Sequence, residues 1–510
     1  MSEFFDVIIV GAGLSGISAA YHLQTRCPGK RFTVLEARGS IGGTWDLFRY
    51  PGVRSDSDMF TLGYRWKPWR DAKAIADGSS ILSYVREAAR ESGVERRIRF
   101  NQRVVRASWS SERARWSLEV QGEDGETLRY SCNFLYMCTG YYRYSQGYDP
   151  HLPGQESFQG RFVHPQHWPT ELDYTGKRMV VIGSGATAMT LVPELAKRAE
   201  HVTMLQRSPT YVVSAPARDP LTELLRKRLS PTAAYGVARW KSVVIGAAFF
   251  HLARRAPRFA KSAVLRGVRE GLGPDYDVDR HFTPSYGVWE QRVCLIPDGD
   301  LFEALNGGRA EVVTDHIERI TETGIVLKSG RELPADIIVK ATGLELEVAG
   351  ACELTVDGRR FEFSESVNYK GCMFTGLPNF VYTFGYTNAS WTLKADLVAE
   401  FVCRLLNAMR AKGADRCVPR DPDPQMPMVP WVDFSSGYVQ RALTRFPKQG
   451  AERPYRLYQN YLLDLLLMRY GRIEDGVLQL SAASQAEAQA PADERSRSSA
   501  QNERRRARVG

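Results

Sequence analysis

The chain has 510 residues, 43% hydrophobic and 25% charged, an ordinary globular composition with length for two to four domains of roughly 150 residues each. Its net charge of +10 is local: residues 218–269 hold twelve Lys or Arg against only Asp219 and Glu223, and with no base-stacking aromatics or DNA-binding motif this surplus excludes a general nucleic-acid binder. No apolar run approaches the ~20 residues that span a bilayer, the start lacks a basic signal-peptide region, and none of the eight Cys form C-x-x-C, so a cytoplasmic protein with reduced thiols and no metal site is expected.

In chain order, residues 5–10 are a short apolar run ending at Gly11. Ile17, Ala20 and Tyr21 then recur at helical spacing, and residues 32–35 form a second apolar run. This is strand, turn, helix, strand: a βαβ unit. Its turn, Gly11-Ala12-Gly13-Leu14-Ser15-Gly16, is a G-x-G-x-x-G. Glycines there let the backbone approach a pyrophosphate, and the helix start offers free N–H groups and a positive dipole end. Glu36 closes the second strand, 20 residues past Gly16, where a carboxylate can hold both ribose hydroxyls. A tight turn that binds nothing is the rival reading, and the agreement of strand, spacing and acid disfavours it.

Residues 42–46 and 49–58 are dense in turn formers yet carry Trp45, Arg49, Arg54 and Asp56, which suits a loop that touches a ligand. Cys132 and Cys138 flank a strand-like run; six strand residues span ~20 Å, too far for a disulfide. The run 158–169 spells F-x-G-x-x-x-H-x-x-x-W-P, ending in Trp168 and Pro169. A second βαβ unit follows, with strands at 179–182 and 202–205 around Gly183-Ser184-Gly185-Ala186-Thr187-Ala188. Its second strand ends in Gln206-Arg207-Ser208 with no acid; Arg207 and Ser208 can hold a 2′-phosphate, which argues for NADP over NAD. Residues 216–284 are mostly helical and basic, strands resume near Val312 and run through 337–339, residues 351–382 look short-stranded and 392–406 helical. Cys138-Thr139-Gly140 and Ala341-Thr342-Gly343 both follow apolar strands, and Lys340 stands oddly beside Val339.

Two dinucleotide units in one chain suggest electron transfer between two nucleotides, FAD in the first and NADPH in the second. The expected fold is α/β, with two Rossmann-like domains and a helical insertion in the second. The FAD-binding domain is expected at 1–145 and 343–480, the NADP-binding domain at 146–215 and 289–342, and the insertion at 216–288. Residues 481–510 lack large apolar groups and are expected to form a disordered tail.

The 158–169 motif is similar to the fingerprint of Baeyer–Villiger monooxygenases, and from about residue 6 to 480, including 43–52 and 385–394, the chain resembles the class B flavoprotein monooxygenases. Relatives that oxidise only N or S typically have Tyr or Phe where this chain has Trp168. The resemblance implies that Ser15, Glu36, Thr44, Trp45, Asp46, Leu47 and Asp56 contact FAD beside Gly11, Gly13 and Gly16, with the Val104 backbone on the adenine. It implies that Arg54, Ser55, Asp56, Gly183, Ser184, Gly185, Ala186, Thr187, Ala188, Met189, Arg207 and Ser208 contact NADP. Arg292 falls at the family's active-site arginine, with Asp56 orienting it. Gln291 stands where many relatives have Lys, which leaves Arg207 more of the 2′-phosphate.

The implied chemistry is reduction of FAD by NADPH, formation of a C4a-peroxyflavin with O2, and oxygen insertion into ketones to give esters or lactones. Thioethers and thioamides would give S-oxides. A permanent guanidinium suits this, because it stabilises both the attacking anion and the tetrahedral adduct. Residues 388–391 would open a helix near the flavin pyrimidine, with Trp391 either lining the substrate pocket or serving as core. The competing readings are an N/S-oxidising monooxygenase without ketone activity and a non-catalytic flavin redox sensor. The basic insert reads better as a cap over a substrate tunnel than as a face resting on an anionic membrane at the inner side of the cell.

Overall fold

The computed structural model describes residues 2–432 and 434–482. Most of the expected tail, 483–510, lies outside them; its first residue, Ser481, belongs instead to a strand, Leu478–Ser481, that pairs antiparallel with Arg416–Pro419.

Two sheets organise the α/β fold. The first has nine strands among the described residues. Its parallel half runs Phe380–Tyr382, Thr127–Met137, Glu3–Val10, Phe32–Leu35, Ile98–Arg99. Thr127–Met137 also pairs antiparallel with Arg115–Gln121, and that strand with Arg103–Ser110. Burial explains the two sequence textures. Val7, Ile8 and Ile9 are fully buried, so the end of their strand, 7–10, reads as an unbroken apolar run, whereas Arg115–Gln121 alternates buried and exposed residues because one face meets water.

The second sheet is all parallel, in the order Ala310–Thr314, His201–Gln206, Arg178–Ile182, Ile337–Lys340, Arg161–Val163. Lys340 ends a strand buried on both faces and is itself only 4% exposed. A charge taken that deep needs partners, and it has them: Nζ donates to Asp149 Oδ1 at 2.7 Å and Gln155 Oε1 at 3.0 Å, and lies 4.6 Å from the Phe162 ring centroid. The odd lysine thus ties the segment entering this sheet to its fourth strand.

Between the paired strands Val212–Ala215 and Cys294–Pro297 lie the helices Pro220–Arg226, Pro231–Arg255, Pro257–Leu272 and Val278–His281. Three of them begin with Pro, which lacks the N–H that a first helical turn leaves unpaired. Helix Pro231–Arg255 packs against the core beside the first sheet: Tyr235 and Ala238 share a cluster with Val7, Ile9, Phe60 and Tyr64, and Arg239 Nη1 donates to the carbonyls of Phe60 and Gly63 at 2.7 and 2.8 Å. All eight cysteines are buried free thiols.

Candidate active site

Both glycine turns open onto one cavity of about 1100 Å³. At the first, Gly11 holds φ +105°, and a Cβ there would stand 2.6 Å from the Cys138 carbonyl oxygen. At the second, Gly183 holds φ +136°, with a Cβ 2.3 Å from the Ala341 oxygen. Each first glycine is therefore pressed against the residue that precedes a Thr-Gly linker. Gly13 and Gly185 cap the helices Leu14–Arg26 and Ala186–Leu195, and neither cap has a side chain on the free N–H groups. Such helix starts are receptive to phosphate.

Glu36 is 6% exposed and faces this cavity. Its Oε2 accepts from Ala12 N at 2.6 Å and its Oε1 from Arg38 N at 3.0 Å. Burial pushes its carboxyl pKa above the usual range, opposed by those two N–H groups. Arg207, its counterpart in the second unit, is exposed, lines the cavity and makes no ion pair among the described residues.

The charged centre joins the two halves. Arg292 Nε and Nη2 donate to Asp56 Oδ2 and Oδ1 at 2.5 and 2.7 Å, a two-point pair that is 33% and 26% exposed on the cavity wall. Asp56 beside it raises the Arg292 pKa further, so this group is a cation at every working pH. Arg54 forms an ion pair with Asp300, and Ser55 Oγ accepts from Ser57 N at 3.0 Å.

The cavity is lined by Gly11, Gly13, Ser15, Glu36, Thr44, Trp45, Leu47, Arg54, Ser55, Asp56, Val104, Gly183, Ser184, Gly185, Ala186, Thr187, Arg207 and Arg292. Five expected contacts do not line it. Gly16 packs beneath the turn, where a Cβ would meet the Gly11 oxygen at 1.8 Å. Asp46 is 1% exposed and turned inward to Arg38 and Ser40 at 2.6 Å and Arg86 at 3.0 Å, so it braces the loop. Ala188 and Met189 lie on the core side of their helix. The Ser208 side chain is exposed, and only its carbonyl is engaged, accepting from Ser184 Oγ at 2.9 Å.

None of residues 158–169 lines the cavity either. His164 Nδ1 accepts from Gln166 N at 3.2 Å, and Gln166 Nε2 donates to the carbonyls of Arg143 and Tyr144 at 2.8 and 3.1 Å. A Cβ on Gly147 would stand 2.0 Å from the His164 ring, so only glycine allows this approach. Trp168 is buried edge-on against Tyr174, centroids 6.4 Å apart. The motif works from behind, fixing the linker that presents its own side chains to the cavity.

Those side chains were missed in the sequence. Tyr141, Tyr142 and Tyr144 all line the cavity, and the Tyr-Tyr-Arg-Tyr run directly after Thr139-Gly140 was a legible signal. Trp391 resolves as a wall residue: it stacks on Tyr141, centroids 5.0 Å apart and 13° between planes, and its Nε1 donates to Ser15 Oγ at 2.7 Å.

Residues 68–230 match the Flavin-binding monooxygenase-like family, and residues 9–73 match the NAD(P)-binding Rossmann-like domain. The FAD-containing monooxygenase EthA of Mycobacterium tuberculosis is 54% identical over 476 residues, which is 93% of this chain and 97% of that protein. The chain belongs to the FAD-containing monooxygenases. EthA of Mycolicibacterium smegmatis is 52% identical, over 93% of this chain and 96% of that one. Among solved structures, oxidized steroid monooxygenase bound to NADP overlays with a TM-score of 0.73 at 23% identity, covering 94% of this chain and 100% of that one, which shows a shared fold. The cavity of this monooxygenase fits two dinucleotides: each glycine turn borders it with a helix start that no side chain caps, one beside an inward carboxylate and the other beside a guanidinium with no ion pair among the described residues.

Proposed function

We propose that this monooxygenase holds FAD at the Gly11 turn and NADPH at the Gly183 turn. It inserts one atom of O2 into ketones to give esters or lactones, the other leaving as water, and it oxidises thioethers and thioamides at sulfur. The observation that carries the reading is the Arg292–Asp56 pair on a wall shared by both turns. Bound FAD, reduced by NADPH, supplies the oxygen-activating chemistry.

The chain's own residues do the rest. Arg292 spends two N–H groups on Asp56 and keeps three, which can meet the ketone oxygen as it gains negative charge. Asp56 fixes the plane of the guanidinium, so this donor needs no rearrangement as the charge develops. Glu36 and Arg207 sort the two nucleotides, an acceptor for ribose hydroxyls against a cation for a 2′-phosphate. Because Trp168 lies away from the cavity, ketone activity does not follow from its contacts, and a substrate screen decides it.

NADPH consumption by FAD-loaded protein is measured with a panel of ketones and a thioamide, with products weighed by mass spectrometry. Ester formation is the expected result. NADPH loss yielding only hydrogen peroxide across the panel would overturn the substrate class.

The basic insert serves as a cap in this reading, since Val243 packs on Tyr386, a cavity residue. A peripheral membrane contact is the second reading, favoured by the exposed Val237, Trp240 and Val244 on a helix with no acidic residue. Among the described residues no helix is long and apolar enough to cross a membrane. Flotation with phosphatidylglycerol vesicles separates the two: protein left at the bottom of the gradient excludes the contact.

A further inference from the structure

A second charged cluster lies just behind the cavity wall. Helix Trp391–Lys412 begins at that wall, and Lys394, one turn in, is 1% exposed. Its Nζ meets Asp464 Oδ2 at 2.7 Å. The same oxygen accepts from the Tyr386 hydroxyl, also at 2.7 Å, and Tyr386 lines the cavity. Burial and then the Asp464 charge hold the Tyr386 hydroxyl protonated.

The neighbouring chain makes the same attachment. Gln459 Oε1 accepts from Thr387 N at 3.0 Å, and its carbonyl accepts from Asn388 Nδ2 at 2.8 Å. Residues 386–391 are therefore pinned from behind by 459–464, while Trp391 is pinned from the front by Ser15. An apolar pair of similar size would hold a wall as well or better, because a buried ion pair is weak evidence of stability. The charges need another reason.

We propose that Asp464 and Lys394 are positioning residues that act through Tyr386 and the first turn of helix Trp391–Lys412, fixing the wall against the bound flavin and balancing charge beside it. This rests on the FAD assignment above. Asp464 neutralises the lysine, so the wall meets the flavin with its dipole end but without an extra cation. Removing either partner unbalances the site in opposite senses.

The test uses the FAD-loaded full chain and reads the flavin midpoint potential and the FAD dissociation constant, not turnover. Asp464→Asn keeps an acceptor for Tyr386 but leaves Lys394 uncompensated, and should raise the potential. Lys394→Met leaves the carboxylate, and should lower it. Each single variant, with one buried charge left unpaired, should weaken FAD binding by about tenfold or more, and the double variant should return close to the parent potential and recover most of the affinity. If both single variants fail to fold, Tyr386→Phe removes only the hydroxyl contact and should still weaken FAD binding. Shifts of one sign in both singles, or no change in potential with full FAD affinity, would overturn the proposal. Failure of the parent chain to take up FAD would sink the assignment it rests on instead.

Discussion

The two glycine turns share a motif and a contact, and differ in how they are finished. Both press the first glycine against a linker carbonyl, Cys138 in one and Ala341 in the other. The first turn is then closed in: Glu36 is buried and hydrogen-bonded, and Trp391 reaches across from a distant helix to Ser15. The second is open, with Arg207 exposed and without an ion pair among the described residues, and Ala188 in place of the third glycine. A preorganised, enclosed site suits a ligand that stays, and an exposed free cation suits one that must exchange each cycle.

The largest test separates the turns outright. Gly11→Ala forces a side chain into φ +105° and into the Cys138 oxygen, so the purified protein should carry almost no flavin; Gly183→Ala should keep its flavin and lose hydride transfer from NADPH by a hundredfold or more. Flavin content and stopped-flow reduction check both, and equal loss of flavin in the two variants would break the comparison. Arg292→Ala acts on the wall that the turns share. It should lower ketone oxidation by about 10²–10³, the cost of removing one preorganised charge-stabilising donor. Full ketone oxidation in this variant would remove Arg292 from the mechanism.

Arg207→Gln should raise KM for NADPH by about ten- to a hundredfold, the worth of a charged hydrogen bond, and leave NADH kinetics unchanged. An equal effect on both nucleotides would mean that Arg207 does not read the 2′-phosphate. The pH dependence of the first turn is subtler. Burial raises the Glu36 pKa, so in the protein its protonated form persists to higher pH than an ordinary carboxyl. An ionised acceptor is what ribose hydroxyls need, so FAD affinity should fall as pH drops through that raised value and recover above it. Glu36→Gln should flatten the profile, measured by flavin fluorescence. Smallest of all, Ala188→Gly should cost about 1 kcal/mol of stability without touching nucleotide binding, because Ala188 packs in the core and not on the cavity.

The motifs were legible because their chemistry is local. A G-x-G-x-x-G between a strand and a helix needs only neighbours along the chain, so the turns, Glu36 and Arg207 stood out in the sequence, and all of them line the cavity. Asp46 does not line the cavity, for the opposite reason: only the fold brings Arg38 and Arg86 to turn its side chain inward. The 158–169 run was read as a family fingerprint, and in the fold it braces the linker without lining the cavity, since a motif reports that its residues are needed but not where they face. Trp391 could have been wall or core from sequence alone; Ser15, 376 positions away, decides it.

The sequence by itself determined the two βαβ units and the α/β class, both set by spacing of at most a few tens of residues. Only the tertiary structure decided which side chains share a cavity. Asp56 and Arg292 are 236 positions apart, and Tyr386 and Asp464 78 apart. Local periodicity carries no record of such pairs; they form only when segments far apart in the chain pack together.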